Sequence, residues 1–106
     1  YKPDVDDMRE SPTFAIMDLL QHEKAIVDFY DPYIPTIPTT REHANYTGKT
    51  SVQWRKDVVS EYDAAVIVTN HKSVNYAELL EWCDTVIDTR NALNGMSADF
   101  EQVWKA

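Results

Sequence analysis

The sequence predicts an α/β protein with a mostly parallel sheet and helices on both faces, arranged in three layers. Short β-rich runs alternate with amphipathic segments along the chain. The run 64–69 is almost continuously apolar, which is typical of a parallel strand covered on both faces. With 106 residues, of which 43% are apolar, the chain has enough material for one core, so we expect 1–106 to form a single domain.

The first half of the chain predicts a helix, a short strand and a long loop. Ser11 and Pro12 form a good helix start, and apolar residues follow at helical spacing over 12–23. Residues 26–30 are β-rich and stop at an Asp-Pro turn, which predicts a short buried strand. Residues 31–50 contain three prolines and no apolar period, so they predict a long loop of the kind that is often functional or mobile.

The second half continues the alternation of strands and helices. In order, the pattern allows a short strand over 51–54 and predicts a helical turn over 55–61, a strand over 64–69, a helix over 76–83 and a strand over 85–89. Asn75 is placed to cap the helix that follows it. Ser97 could cap a last helix containing Phe100, Val103 and Trp104.

Composition excludes several classes of function. The net charge of −8 and the pI near 4.6 argue against sequence-independent nucleic-acid binding and against docking on anionic lipid. A single cysteine, Cys83, rules out an intrachain disulfide and a cysteine-based zinc site. The carboxylates Asp4, Asp6, Asp7 and Glu10 fit no standard metal spacing, so we expect no metal. No apolar run approaches the roughly 20 residues that span a bilayer and no signal peptide is visible, so we expect a cytoplasmic protein.

The glycines decide what kind of α/β site is possible. The fold class is Rossmann-like, but the only glycines are Gly48 and Gly95, so the G-x-G-x-x-G turn that cradles a dinucleotide is missing. Ligands of such sheets bind outside the carboxyl ends of the strands. By that rule, the candidate ligand-binding positions are residues 31–33, 69–71 and 88–91.

Two side chains at these positions, and one outside them, are candidates for a chemical role. Arg90 directly follows a predicted buried strand, where a guanidinium can clamp a phosphate or carboxylate, although it could instead pair with Asp88 or a helix terminus. His71 could polarise a ligand, but a lone loop histidine is more often a solvated or capping residue. Cys83 lies beside Trp82 on an apolar helix face, which predicts a buried, inert thiol.

The opening residues carry a resemblance to a known family. They comprise an aromatic-lysine pair, an acidic loop and R-E-S-P at a helix start: Tyr1-Lys2, Asp6-Asp7 and residues 9–12. This order resembles the start of the C-terminal domain of UDP-glucose/GDP-mannose dehydrogenases. The similarity continues in the same order through residues 31–35, 69–71 and 86–91, so that it covers essentially the whole chain.

The resemblance implies an enzyme with an N-terminal NAD-binding domain, a helical middle domain holding a catalytic cysteine and lysine, and this domain closing over a UDP-sugar. Such enzymes oxidise the sugar C6 alcohol to a carboxylate through a thiohemiacetal and a thioester. By the same resemblance, Tyr1 and Lys2 contact the UDP-sugar and Arg90 closes on its nucleotide or sugar end. Arg9 reaches NAD, which is bound mainly by the N-terminal domain.

The segments 31–38 and 40–43 look most like UDP-N-acetylglucosamine 6-dehydrogenases, which implies a role in polysaccharide biosynthesis and a homo-oligomer formed by the full-length enzyme. UDP-glucose, UDP-N-acetylmannosamine and GDP-mannose stay open as substrates. In an alternative of a different class, the chain is a non-catalytic α/β interaction module whose proline-rich loop binds a protein.

The start of the chain and one helix end lead to further expectations. The chain begins without methionine in a polar segment, so we expect a fragment of the larger enzyme with a truncated first strand, no catalytic residue and no dehydrogenase activity of its own. Many relatives have glycine where Lys24 stands. A left-handed lysine would cost about 1–2 kcal/mol, so we expect this helix end to be built differently.

Overall fold

The computed structural model of the chain describes residues 12–38, 46–96 and 102–105. Their helices and strands are, in order, α1 Thr13–His22, α2 Lys56–Val59, β1 Ala65–Ile67, α3 Tyr76–Trp82, β2 Val86–Asp88 and β3 Val103–Lys105. The strands form a three-stranded parallel sheet, which confirms the predicted α/β class. The chain divides into two compact units, Tyr1–Val52 and Gln53–Ala106. The expectation of a single domain over 1–106 stays a prediction. None of the described helices is long and apolar enough to cross a membrane.

In the first unit, α1 supplies two of the six buried residues of the core. The helix follows Pro12, whose φ of −66° already suits a first helical turn; the expected Ser11 cap lies outside the described residues. Phe14 and Met17 are buried on its inner face. Phe14 stacks on Tyr46 at a centroid distance of 5.6 Å. The other buried members of this core are Phe29, Ile34 and Ile37.

The carboxyl end of α1 keeps a left-handed turn although lysine occupies it. Lys24 has a φ of 67°, its N–H donates to the Gln21 carbonyl at 2.9 Å, and the Ala25 N–H donates to the Leu20 carbonyl at 3.0 Å. These two bonds are the 5→2 and 6→1 pair of a Schellman motif. The expectation that this helix end is built differently is therefore wrong. The two bonds satisfy carbonyls at the helix end, and their formation outweighs the strain of a lysine Cβ in this conformation.

Replacing Lys24 by glycine is expected to stabilise the chain. Glycine adopts a positive φ without steric cost, so Lys24→Gly should raise the free energy of unfolding by about 1 kcal/mol. Lys24→Ala is the matched control: it removes the same ammonium but keeps the Cβ, and should leave stability within about 0.5 kcal/mol of the parent. Urea denaturation of the three proteins measures both values, and equal gains from glycine and alanine would contradict the backbone explanation.

The predicted strand over 26–30 is wrong, and 51–54 is not a strand either. The side chain of Ile26 is 91% exposed, whereas Phe29 is buried in the core. Backbone pairing is limited to single contacts such as the bond from the Val52 N–H to the Phe29 carbonyl, at 2.8 Å. Val27 and Phe29 thus pack in the core, as alternate residues of a strand would. No β-ladder forms beside them in the described residues.

In the second unit, strands β1, β2 and β3 lie side by side in chain order, all parallel. The helix α3 begins at the predicted cap, because the Asn75 side chain accepts a hydrogen bond from the Glu78 N–H at 3.2 Å. The core between sheet and helices consists of Val59, Ile67, Leu79, Cys83, Val86 and Leu93. The predictions of strands over 64–69 and 85–89, a helical turn over 55–61 and a helix over 76–83 are confirmed, each with shorter bounds.

The predicted last helix is wrong where the structure describes it, because Val103 and Trp104 lie in strand β3. A β-branched residue next to an aromatic one favours a strand, and Val103 packs on the core while pairing with Val86. The Gln102 side-chain amide also donates to the Cys83 carbonyl at 2.6 Å, which ties the start of β3 to the end of α3. Ser97 and Phe100 lie outside the described residues.

Candidate functional site

The three strands of the second unit end along one line. Ile67, Asp88 and Lys105 are the last residues of β1, β2 and β3, and they are register partners across the sheet. Because the strands are parallel, their carboxyl ends lie at the same edge, which is where ligands of open α/β sheets bind. We call this the carboxyl edge: these three residues and the loop residues that directly follow β1 and β2.

A buried aspartate shapes the loop after β2. Asp88 is 1% exposed, and its Oδ1 accepts hydrogen bonds from the N–H groups of Arg90 and Ala92, both at 3.0 Å. Its Oδ2 accepts a third from the Leu93 N–H at 2.9 Å. Burial by itself would raise the pKa of the carboxyl group, but these three bonds and the charge of Lys105 outweigh it, so that the pKa is lowered. Asp88 is therefore an ionised anchor of the loop, which it binds through both carboxylate oxygens.

Arg90 is held at the carboxyl edge by a bond to the neighbouring strand. Its Nε–H donates to the Val68 carbonyl at 2.8 Å, one residue beyond the end of β1, while its own backbone is fixed by Asp88. The side chain is exposed. A guanidinium has five N–H donors, so the bond to Val68 leaves both terminal amino groups for an anion. Of the alternatives open from the sequence, an Arg90–Asp88 ion pair does not form, because Asp88 binds the Arg90 backbone instead.

Lys105 is a second cation at this edge, and sequence reasoning missed it. Its Nζ donates to the Asn91 Oδ1 at 2.7 Å, which brings the ammonium next to the residue that follows Arg90. Asn91 has a φ of 56°, a left-handed conformation that asparagine tolerates better than most residues. Because Val103 and Trp104 were predicted to lie on a helix, Lys105 was not predicted to lie at the end of a strand. The β-prone pair Val103-Trp104 was the signal that could have placed Lys105 at the end of a strand.

The loop after β1 is closed by a tyrosine. The hydroxyl of Tyr76 accepts a hydrogen bond from the His71 N–H at 3.1 Å and lies 3.4 Å from the Thr69 carbonyl, to which it can donate. His71 is only 3% exposed, so the interpretation of it as a solvated residue is wrong. Thr69 has a buried Oγ1 with no partner among the described residues. The loop after β1 is thus packed inward. The accessible charged groups of the carboxyl edge are its exposed cations.

Comparison with known protein families decides the affiliation. Residues 1–95 match the family described as UDP-glucose/GDP-mannose dehydrogenase family, UDP binding domain. The chain belongs to this family. No curated protein and no solved structure matches the chain at a significant level. The match supports the assignment to a UDP-binding dehydrogenase domain, and it covers all the segments that carry the resemblance.

The family match can be compared with the predicted site residues one by one. Arg90 lies in the matched range and at the carboxyl edge, where a ligand can reach it. Tyr1, Lys2 and Arg9 are also in the matched range, but they lie outside the described residues. Their roles stay predictions. Lys105 lies beyond residue 95, so the family match assigns nothing to it.

The cysteine of this UDP binding domain is not built as a nucleophile. Cys83 is buried, and its Sγ lies 3.8 Å from the Val59 carbonyl oxygen. Burial, and secondarily the nearby Asp84 charge, raise the pKa of the thiol, which keeps it protonated. The prediction that this thiol is buried is confirmed, and its inertness stays a prediction.

Members of the family are NAD-dependent dehydrogenases, so the fit of NAD to the described residues can be tested. A dinucleotide pyrophosphate needs a glycine-rich turn between a strand and the next helix. Gly48 and Gly95 have φ values of 86° and 81° and lie in isolated turns, and the connection from β1 to α3 contains no glycine. The described residues therefore do not form a dinucleotide cradle.

Proposed function

We propose that the chain is the UDP-sugar-binding domain of an NAD-dependent nucleotide-sugar 6-dehydrogenase, which oxidises the C6 alcohol of its substrate to a carboxylate. The observation that carries the proposal is the family match over 1–95 together with Arg90 exposed at the carboxyl edge. In a chain of net charge −8, a guanidinium fixed at the ligand-binding edge of the sheet is suited to a diphosphate. NAD is bound mainly by a separate N-terminal domain in this proposal, with Arg9 reaching it across the cleft.

The substrate in this proposal is UDP-N-acetylglucosamine, converted to its uronate for polysaccharide biosynthesis in the cytoplasm by a homo-oligomeric enzyme. Support comes from the segment 31–38, which resembles that subfamily. Its described residues form a fixed turn, since Asp31 Oδ1 accepts from the N–H groups of Tyr33 and Ile34 at 2.8 and 3.1 Å. UDP-glucose, UDP-N-acetylmannosamine and GDP-mannose are the competing substrates.

The chain by itself should not produce NADH from UDP-N-acetylglucosamine. The chemistry proposed for the enzyme needs a cysteine thiolate as acceptor of the sugar aldehyde, and Cys83, the only cysteine, is buried with a raised pKa. In the proposed enzyme the nucleophile belongs to the middle domain. This domain contributes binding and closure.

Titration with UDP, followed by NMR chemical shifts of the 106-residue chain, tests the binding role. We expect shift changes around Arg90 and Lys2, and weaker changes with uridine because it lacks the diphosphate. Changes confined to 36–50, or none at all with millimolar UDP, would contradict the proposal. The former result would favour the interaction module instead.

Substrate choice needs the catalytic machinery. The enzyme that carries this domain should be assayed for NADH production with UDP-N-acetylglucosamine, UDP-glucose, UDP-N-acetylmannosamine and GDP-mannose. We expect the highest kcat/KM with UDP-N-acetylglucosamine. A higher value with any of the other three would overturn the substrate assignment while leaving the binding role intact.

A further inference from the structure

The charge at the carboxyl edge differs in sign from that of the chain. The described loops and strand ends at this edge contain the cations Lys72, Arg90 and Lys105 and one carboxylate, Asp88. Three backbone N–H groups already bind the Asp88 carboxylate, which is buried. The edge is thus locally cationic in a chain of net charge −8, and such a local excess attracts an anionic ligand.

The position of Lys105 relative to Arg90 is set by the fold. Lys105 ends β3 and Arg90 lies two residues after the end of the adjacent parallel strand β2, whose last residue, Asp88, is the register partner of Lys105. The Asn91 amide oxygen receives the Lys105 ammonium at 2.7 Å, directly beside Arg90 in the chain. An ammonium has three N–H donors, and the bond to Asn91 uses one of them. Lys105 is exposed, so the others are within reach of a ligand.

We propose that Lys105 is a second ligand-binding cation of the UDP-sugar site and binds the diphosphate together with Arg90. The inference rests on the proposed function and adds to it a residue that the family match does not cover. The planar guanidinium of Arg90 suits bidentate contact with one phosphate, and the compact ammonium of Lys105 suits point-charge contact with the other. Asn91 holds the ammonium in place for this contact.

Calorimetric titration of the 106-residue chain tests the assignment with three variants and three probes. Lys105→Met removes the charge, Lys105→Arg keeps it, and Lys56→Met removes another exposed charge from the first turn of α2. The probes are UDP, inorganic pyrophosphate and uridine. We expect Lys105→Met to weaken UDP and pyrophosphate binding about ten-fold, the size of one charge-assisted phosphate contact. Lys105→Arg should restore most of the affinity, and Lys56→Met should bind like the parent.

The outcomes distinguish a failure of the role proposed for Lys105 from a failure of the proposed function. Parent-like UDP binding by Lys105→Met would overturn the role of Lys105 and leave the proposed function standing. An equal loss for uridine would also overturn it, because uridine has no phosphate. Failure of the parent chain to bind UDP would overturn the proposed function itself.

Discussion

Asp88→Asn is expected to lower the free energy of unfolding by about 2–3 kcal/mol, because a hydrogen bond to a charged group contributes about 1.5–3 kcal/mol and a buried donor left unpaired adds its desolvation penalty. The asparagine carbonyl can keep the bonds to the Arg90 and Ala92 N–H groups. Its amide nitrogen would then face the Leu93 N–H, which currently donates to Oδ2 at 2.9 Å. Two donors cannot pair, so the loop loses the hydrogen bond of the buried Leu93 N–H.

Chemical denaturation followed by circular dichroism measures this loss. Asp63→Asn is the matched control, since it makes the same chemical change on an exposed carboxylate before β1 and should shift stability by less than about 0.5 kcal/mol.

The pH dependence of the free energy of unfolding provides a second test of this role. The pKa of Asp88 is lowered in the folded state, so its contribution is complete above the unfolded value and is lost as the pH falls through the folded pKa.

The stability difference between parent and Asp88→Asn should therefore stay constant from neutrality down to about 3.8, the pKa of the carboxyl group in the unfolded chain, and shrink as the pH is lowered further. A constant difference across the acid range would mean that the carboxylate charge is not what stabilises the loop. A negligible difference at neutral pH would contradict its role as an anchor.

Arg90→Met is expected to weaken UDP binding about 30-fold or more, because a bidentate guanidinium–phosphate contact combines two charge-assisted hydrogen bonds. Arg90→Lys should recover only part of this affinity. A lysine at this position keeps the charge but loses the planar fork and the bond from Nε to the Val68 carbonyl, which now orients the side chain at 2.8 Å.

Arg55→Met provides the control for arginine removal. Arg55 is exposed and pairs with Asp57 at 2.6 Å at the start of α2, so its loss should leave UDP affinity unchanged. Calorimetric titration of these proteins with UDP and uridine gives the comparison. Equal UDP affinity of parent and Arg90→Met would remove Arg90 from the site, and full recovery by Arg90→Lys would show that charge alone matters.

Local signals were sufficient for much of this fold. The continuous apolar run before Thr69 predicted β1, and Asn75 predicted the start of α3, because a buried strand and a capped helix are recognisable from adjacent residues. The strand predicted over 26–30 was wrong because this segment has the composition of a strand but no partner strand in the described residues. A β-ladder depends on a distant segment, and local composition does not reveal that segment.

The candidate site was predictable in part for the same reason. Arg90 follows a strand directly, so the rule for parallel sheets placed it at the ligand-binding edge. Lys105 joins it only through a pairing with Asp88 across 17 residues of sequence, which no local pattern indicates. The three-bond anchor of Asp88 depends on loop geometry that forms only when β2 and its core residues are packed.

The division into two compact units has a spectroscopic consequence. All the tryptophans, Trp54, Trp82 and Trp104, belong to the unit Gln53–Ala106, and Trp54 and Trp82 pack with ring centroids 5.5 Å apart. Tryptophan emission therefore reports on the unit that contains Arg90 and Lys105, while the aromatic core of the other unit is built from Phe14, Phe29 and Tyr46. The chain carries a natural fluorophore pair in the half that holds its candidate site, and no label is needed to watch that half unfold.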